Sequence, residues 1–141
     1  MATFVKFQAF VEAVAEKKHN LGADTLKYYL TNTAPDVAAD AVKADLPAEI
    51  SAGNGYSAGG FAVTITSSAQ TSGTYKLVLA DATLTASGGS IGPFRYVVLY
   101  NDTSANDDLI AYWDYGSSIT INDTETFTVD ADPTNGILTF A

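Results

Sequence analysis

No cysteine occurs in the 141 residues, so a disulfide framework and thiolate chemistry are both closed to the chain, and stability has to come from packing. Basic residues are scarce as well. Seven Lys and Arg stand against 16 Asp and Glu, giving a formal net charge of −9, and no basic stripe interrupts the acidic background. Such a surface repels a phosphate backbone instead of neutralising it, so nucleic acid is not an expected partner. His19 is the only histidine, placed beside Lys17 and Lys18. Without a second histidine, a cysteine or a Gly-rich phosphate loop, the common nucleophile–base pairs and transition-metal sites cannot be assembled. Neither a catalytic residue nor a cofactor or metal is therefore expected, and the chain does not read as an enzyme. Long apolar runs are missing too. No stretch reaches the about 18 apolar residues of a membrane span, and MATFVKFQAFVEAVAEKKHN lacks the h-region and cleavage site of a signal peptide. The expectation is a chain made in a cytoplasm, with no membrane partner.

What is present is the composition of a folded β protein. Hydrophobic residues make up 47% of the chain and charged ones 16%, with much Thr, Ser, Asn and Gly in the remainder. The length suits one domain, 1–141, with one self-sufficient core. Phe4, Phe7, Phe10 or Val11, and Val14 recur at three- and four-residue steps between polar positions, which predicts an amphipathic helix over 3–18 within an N-terminal segment 1–22. Lys17, Lys18 and His19 complement its carbonyl end, and Asn20 and Gly22 can stop it.

From 23 to 141 the texture changes to short β-branched and aromatic runs separated by Gly, Asn, Asp, Ser and Pro. The runs 25–31, 61–66, 75–80, 82–86, 94–100, 109–115, 118–121, 126–130 and 137–140 predict an antiparallel β-sandwich or jelly roll of about eight strands. A long connection, 31–60, holds a glycine-rich end from Asn54 to Gly60.

The stretch GPFRYVVLYNDTSANDDLIAYWDYGSSITI places one arginine inside a run of large apolar residues, with acids downstream. If Tyr100 faces Leu109 across a hairpin, Tyr96 falls opposite Trp113 and Arg95 opposite Asp114. That pairing predicts a structural Arg95–Asp114 ion pair that fixes the register; contact with a ligand or partner is the other reading. Tyr96, Tyr100, Tyr112, Trp113 and Tyr115 read as core, with a sugar-binding platform as the alternative. Asp102, Asp107 and Asp108 supply hard oxygen donors that suit calcium, but Asn, Asp and Ser form turns far more often. DADPTNG departs from a calcium loop in the position of its glycine and in having Ala141 at the twelfth place. The two NDT triplets read as turns.

Over most of the chain, from about Phe10 to Leu138, the sequence resembles a known family. The stretches that carry the likeness are FVEAVAEKKHNLGADTLKYYLTNTAP, AEISAGNGYSAGG, and GPFRYVVLYNDTSANDDLIAYWDYGSSITI with ETFTVD after it. They are similar to head decoration, or cementing, proteins encoded beside the capsid genes of tailed bacteriophages. The resemblance implies a jelly-roll-like β-fold, a homodimer or homotrimer over local symmetry axes, and binding to the major capsid protein on the outside of the virion. The expected contact residues are Phe4, Phe7 and Val11 of the helix, Asp36, Asn54 and Tyr56 of the connection, and Asp102, Asp107 and Asp108 of the loop. The helix and the connection can equally serve as caps on the sandwich. A receptor- or carbohydrate-binding module of a phage tail or fibre is the competing expectation.

Overall fold

Phe4 and Phe7, spaced as on one helix face, divide between two elements in the computed structural model, which describes residues 2–141. Thr3–Lys6 form strand β1, Phe7 is an extended N-cap, and helix α1 covers only Gln8–Ala15. The predicted helix over 3–18 is thus corrected at both ends. Thr3 and Val5 are β-branched and favour a strand, and β1 gains a partner: Phe4 lies opposite Trp113, their rings packed edge to face at 5.2 Å. The helix buries Phe10 and Ala13 and leaves Val11 57% exposed, so Phe10, not Val11, continues the buried face. It stops before Asn20 and Gly22. Lys17 turns left-handed (φ 66), Lys18 N–H reaches Ala13 O at 2.9 Å, and Lys17 N–H reaches Val14 O at 3.2 Å.

The remaining strands are β2 (Leu26–Thr31), β3 (Phe61–Val63), β4 (Ile65–Thr71), β5 (Thr74–Leu79), β6 (Ala82–Thr85), β7 (Ile91–Asn101), β8 (Leu109–Ile121), β9 (Thr126–Val129) and β10 (Leu138–Phe140). All pairings are antiparallel. A five-stranded sheet runs β1-β8-β7-β2-β3, with a three-stranded β10-β5-β4 sheet and a two-stranded β6-β9 ribbon beside it. The chain is mainly β with one short helix near its N-terminus, as its alternating runs require. The runs at 109–115 and 118–121 join into one strand, and 61–66 divides between β3 and β4.

One contiguous apolar cluster links the sheets. Tyr28 and Leu30 of β2, Val97 and Leu99 of β7, and Ala111 and Trp113 of β8 pair across one face of the large sheet. Tyr29, Val98, Tyr112 and Val5 pair across the other. The connection covers this second face: Tyr29 donates its hydroxyl proton to Pro47 O at 2.7 Å, and Thr31 does so to Ala48 O at 2.8 Å. It contains one short 3-10 turn, Lys43–Asp45, and is bridged at Thr31↔Glu49 and Val42↔Asp108. Where it returns to β3, Gly60 sits at φ +91, with Tyr28 O against the place a Cβ would occupy, so only glycine fits.

The central hairpin departs from a simple register. Tyr100 does face Leu109, but Leu99 faces Ala111, so β8 bulges by one residue at Ile110. Every later pair is displaced: Trp113 faces Val97, not Tyr96, and Asp114 faces Tyr96, not Arg95. The register counted outward from Tyr100 and Leu109 is corrected accordingly. A second irregularity follows, because Phe94 pairs with Ile119 while Tyr96 pairs with Asp114, leaving Arg95 opposite an extra loop of β8 that turns at Gly116 (φ +83).

Candidate functional site

Arg95 meets Asp114 despite the displaced register, because the bulge brings the carboxylate diagonally within reach. Nε donates to Oδ1 at 2.7 Å and an η-nitrogen donates to Oδ2 at 3.0 Å, a bidentate fork. Asp114 Oδ1 also accepts Gly116 N–H at 2.8 Å, and the guanidinium lies 5.2 Å from the Tyr96 ring centroid. The guanidinium first, and the Gly116 amide second, hold the Asp114 carboxyl below its usual range. With 36% and 28% of the two side chains exposed, the fork is a surface clamp on the bulge and adds little to global stability.

The acids of the 101–108 loop are largely engaged inside the molecule. Asp102 pairs with Lys27 at 3.0 Å, Asp107 pairs with Lys43, and Asp108 is only 5% exposed. Buried Asn101 organises the loop: its Oδ1 accepts Thr103 N–H and Ser104 N–H, while its Nδ2 donates to Asp24 Oδ2 at 2.6 Å and faces His19 Nδ1 at 3.0 Å. An amide donor at Nδ1 puts the ring proton on Nε2, which is buried without a partner. His19 is therefore no helix-end residue. Its ring packs at a tilt against Phe10, centroids 5.1 Å apart, and its pKa is lowered by burial, against the pull of Asp108 and Asp24. Among the described residues, no group of three or more His, Cys, Asp or Glu is arranged to hold a metal ion.

In the connection, Tyr56 is 2% exposed. Its hydroxyl donates to Glu49 Oε1 at 2.6 Å and accepts Leu30 N–H at 3.0 Å, while Glu49 also accepts Gly59 N–H at 2.8 Å. Burial first, and the Glu49 bond second, push the Tyr56 phenol well above its ordinary range. Tyr100 donates its hydroxyl proton to Gly59 O. Asp36 is exposed but caps its own turn, accepting Ala38 N–H and Ala39 N–H at 2.9 and 3.1 Å. Asn54 is exposed in a left-handed turn (φ 57) and donates to Ser90 O at 2.8 Å.

The expected contact residues thus fall into three groups. Phe4, Val11, Asp36 and Asn54 are exposed, Asp102 and Asp107 are half-buried in ion pairs, and Phe7 at 0%, Tyr56 at 2% and Asp108 at 5% lie inside and cannot meet a partner in this fold. Phe7 is interior because its ring packs on Tyr112 and its N–H is tied to Ile110 O. Of the aromatic run, Tyr96, Tyr100 and Trp113 are interior, at 8%, 0% and 6% exposed, while Tyr112 and Tyr115 are half-buried against the core.

One open cleft, of about 720 Å³, was not legible in the sequence. Phe4 of β1, Trp113 and Tyr115 of β8, Ile137, Asp130 and Asp132 line it. Its acids come from the turn after β9, and its apolar wall depends on residues 3–6 being a strand; the β-branched Thr3 and Val5 were the available signal.

No helix of the described residues is long and apolar enough to cross a membrane. A comparison of the chain with protein-family models, curated proteins and solved structures finds no match.

Proposed function

We propose that the chain is a structural virion protein that binds the outer surface of a tailed-phage capsid and cements the lattice of the major capsid protein, through a jelly-roll-like variant of its β-sheet architecture. The observation that carries this reading is how the residues of the resembling stretches are used. The connection's Glu49 and Tyr56, the loop's Asn101, bonded to Asp24, and Asp102, and the Arg95–Asp114 fork all join one piece of the chain to another. Such a body supplies rigidity and surface, which a lattice cement requires, and the reading assigns no catalytic role. Many modest interfaces engaged on one lattice add up to firm attachment.

The reading includes a homodimer or homotrimer, since open sheets have edges that association covers. It places the chain on the capsid exterior after synthesis in the host bacterial cytoplasm. A receptor- or carbohydrate-binding module of a tail or fibre is the second reading. Aromatic side chains beside carboxylates in the cleft favour it, but the single tryptophan is 6% exposed and packed against Phe4, so no indole face is free for a sugar ring.

The test is sedimentation of purified chain with undecorated heads and, separately, with host cells. Saturable binding to heads, near one copy per capsid subunit, is the expected outcome. Binding to cells alone would establish the second reading instead.

A further inference from the structure

The cleft lies between two exposed strand borders. Phe4 of β1 forms one wall, and Ile137, the residue before β10, belongs to the other. Within the described residues, β1 pairs only with β8 and β10 only with β5. The backbone of β1 can be followed residue by residue. Phe7 N–H donates to Ile110 O, and antiparallel partners alternate, so Val5 and Thr3 direct their backbone groups at β8. Phe4 and Lys6 then direct N–H and C=O outward, the pattern an added strand needs.

The chemistry of the rim selects the occupant. Asp130 and Asp132 line the cleft, no Lys or Arg does, and neither carboxylate has a salt-bridge partner among the described residues. Their hydrogen bonds come from the turn itself: Asp132 N–H to Asp130, and Thr134 N–H, Asn135 N–H and the Asn135 amide to Asp132. Nearby Lys76 directs its ammonium at Thr134 O, 2.9 Å away. Hydrogen bonds of this kind leave both negative charges in place. A second copy of this chain, at net charge −9, would bring acid to acid.

We propose that the cleft is a docking groove for an extended, lysine- or arginine-bearing segment of another protein. The segment adds as a strand to β1 by pairing with Phe4 and Lys6. Of its side chains, apolar ones pack on Phe4 and Ile137, and basic ones reach Asp130 and Asp132. The proposal does not rest on the identity of the partner, so it stands or falls separately from capsid binding.

The probe is an end-blocked eight-residue peptide alternating lysine and valine, titrated into the isotope-labelled full chain and followed by amide NMR and hydrogen exchange. The expected result is saturable shifts confined to β1, the Trp113 region and residues 130–137, with exchange at the Phe4 and Lys6 amides slowed at least tenfold. The double variant Asp130→Asn, Asp132→Asn, checked as folded by its unperturbed amides elsewhere, should bind at least tenfold more weakly. Raising salt from about 50 to 500 mM should weaken wild-type binding in the same direction. A glutamate–valine peptide that binds equally well overturns the proposal, as do shifts that leave the Phe4 and Lys6 amides unprotected. Binding unaffected by the double substitution, the same shifts caused by maltohexaose in place of the peptide, or their growth with protein concentration alone would each overturn it too.

Discussion

Two irregular segments of this chain differ in how their polar groups are satisfied. The 31–60 connection is long and almost without regular structure, yet Tyr29, Thr31, Leu30 and Tyr100 of the large sheet all bond to it. The short 130–137 turn is held chiefly by its own Asp132, with Ala131 N–H to Asp81, Lys76 to Thr134 O and Ile137 N–H to Leu77 O as ties to the rest. The difference teaches that length does not decide whether a loop is fixed. What decides is whether its backbone groups are satisfied by the sheet or by the loop itself. The first segment is scaffold, and the second borders the cleft lined by Phe4 and Ile137.

Breaking the scaffold should have the largest effect. Gly60→Ala places a Cβ against Tyr28 O at a left-handed φ, and chemical denaturation should show a loss above about 3 kcal/mol or no folded protein. Next comes Tyr56→Phe, which strands the buried Leu30 N–H and removes a donor to Glu49, for a loss of about 1–3 kcal/mol by the same measurement.

A pH effect should follow at the point where the connection meets the hairpin. Val42 bridges to Asp108, and Asp108 and Asp24 are the acids that act on His19, with Lys18 opposing them. Burial holds the folded His19 pKa below its reference of 6.5, so the folded state takes up a proton less readily than the unfolded one. This contribution to stability is intact above 6.5 and is lost as pH falls below it. Denaturation midpoints should therefore decline from pH 7 to pH 5, and His19→Gln should flatten that part of the slope. The smallest effect belongs to the other segment: Asp132→Ala should leave the global midpoint near wild type while speeding amide exchange at Thr134 and Asn135.

The sequence pattern made most of the strands legible, because β2, β5, β6, β7 and β9 are apolar and alternating runs bounded by turn residues. It did not reveal β4, whose Thr66–Thr71 portion is mostly polar and exposed, as expected of a strand with one neighbour. The Gly116–Ser117 stretch looked like a strand break, but such residues also form a bulge within one long strand. The Arg95–Asp114 contact was foreseen by a register that the hairpin does not have. Two bulges displaced the pairing, and long side chains restored the contact diagonally. The interior positions of Phe7, Tyr56 and Asp108 followed from tertiary partners such as Tyr112, Leu30 and the connection, which spacing alone does not encode.

The central claim, that this body reinforces a capsid lattice, is tested most directly by the melting of heads. Undecorated heads saturated with the chain should disassemble at a higher temperature than bare heads, and the increment should grow with occupancy. Heads that bind the chain in full and melt at the bare temperature would contradict it.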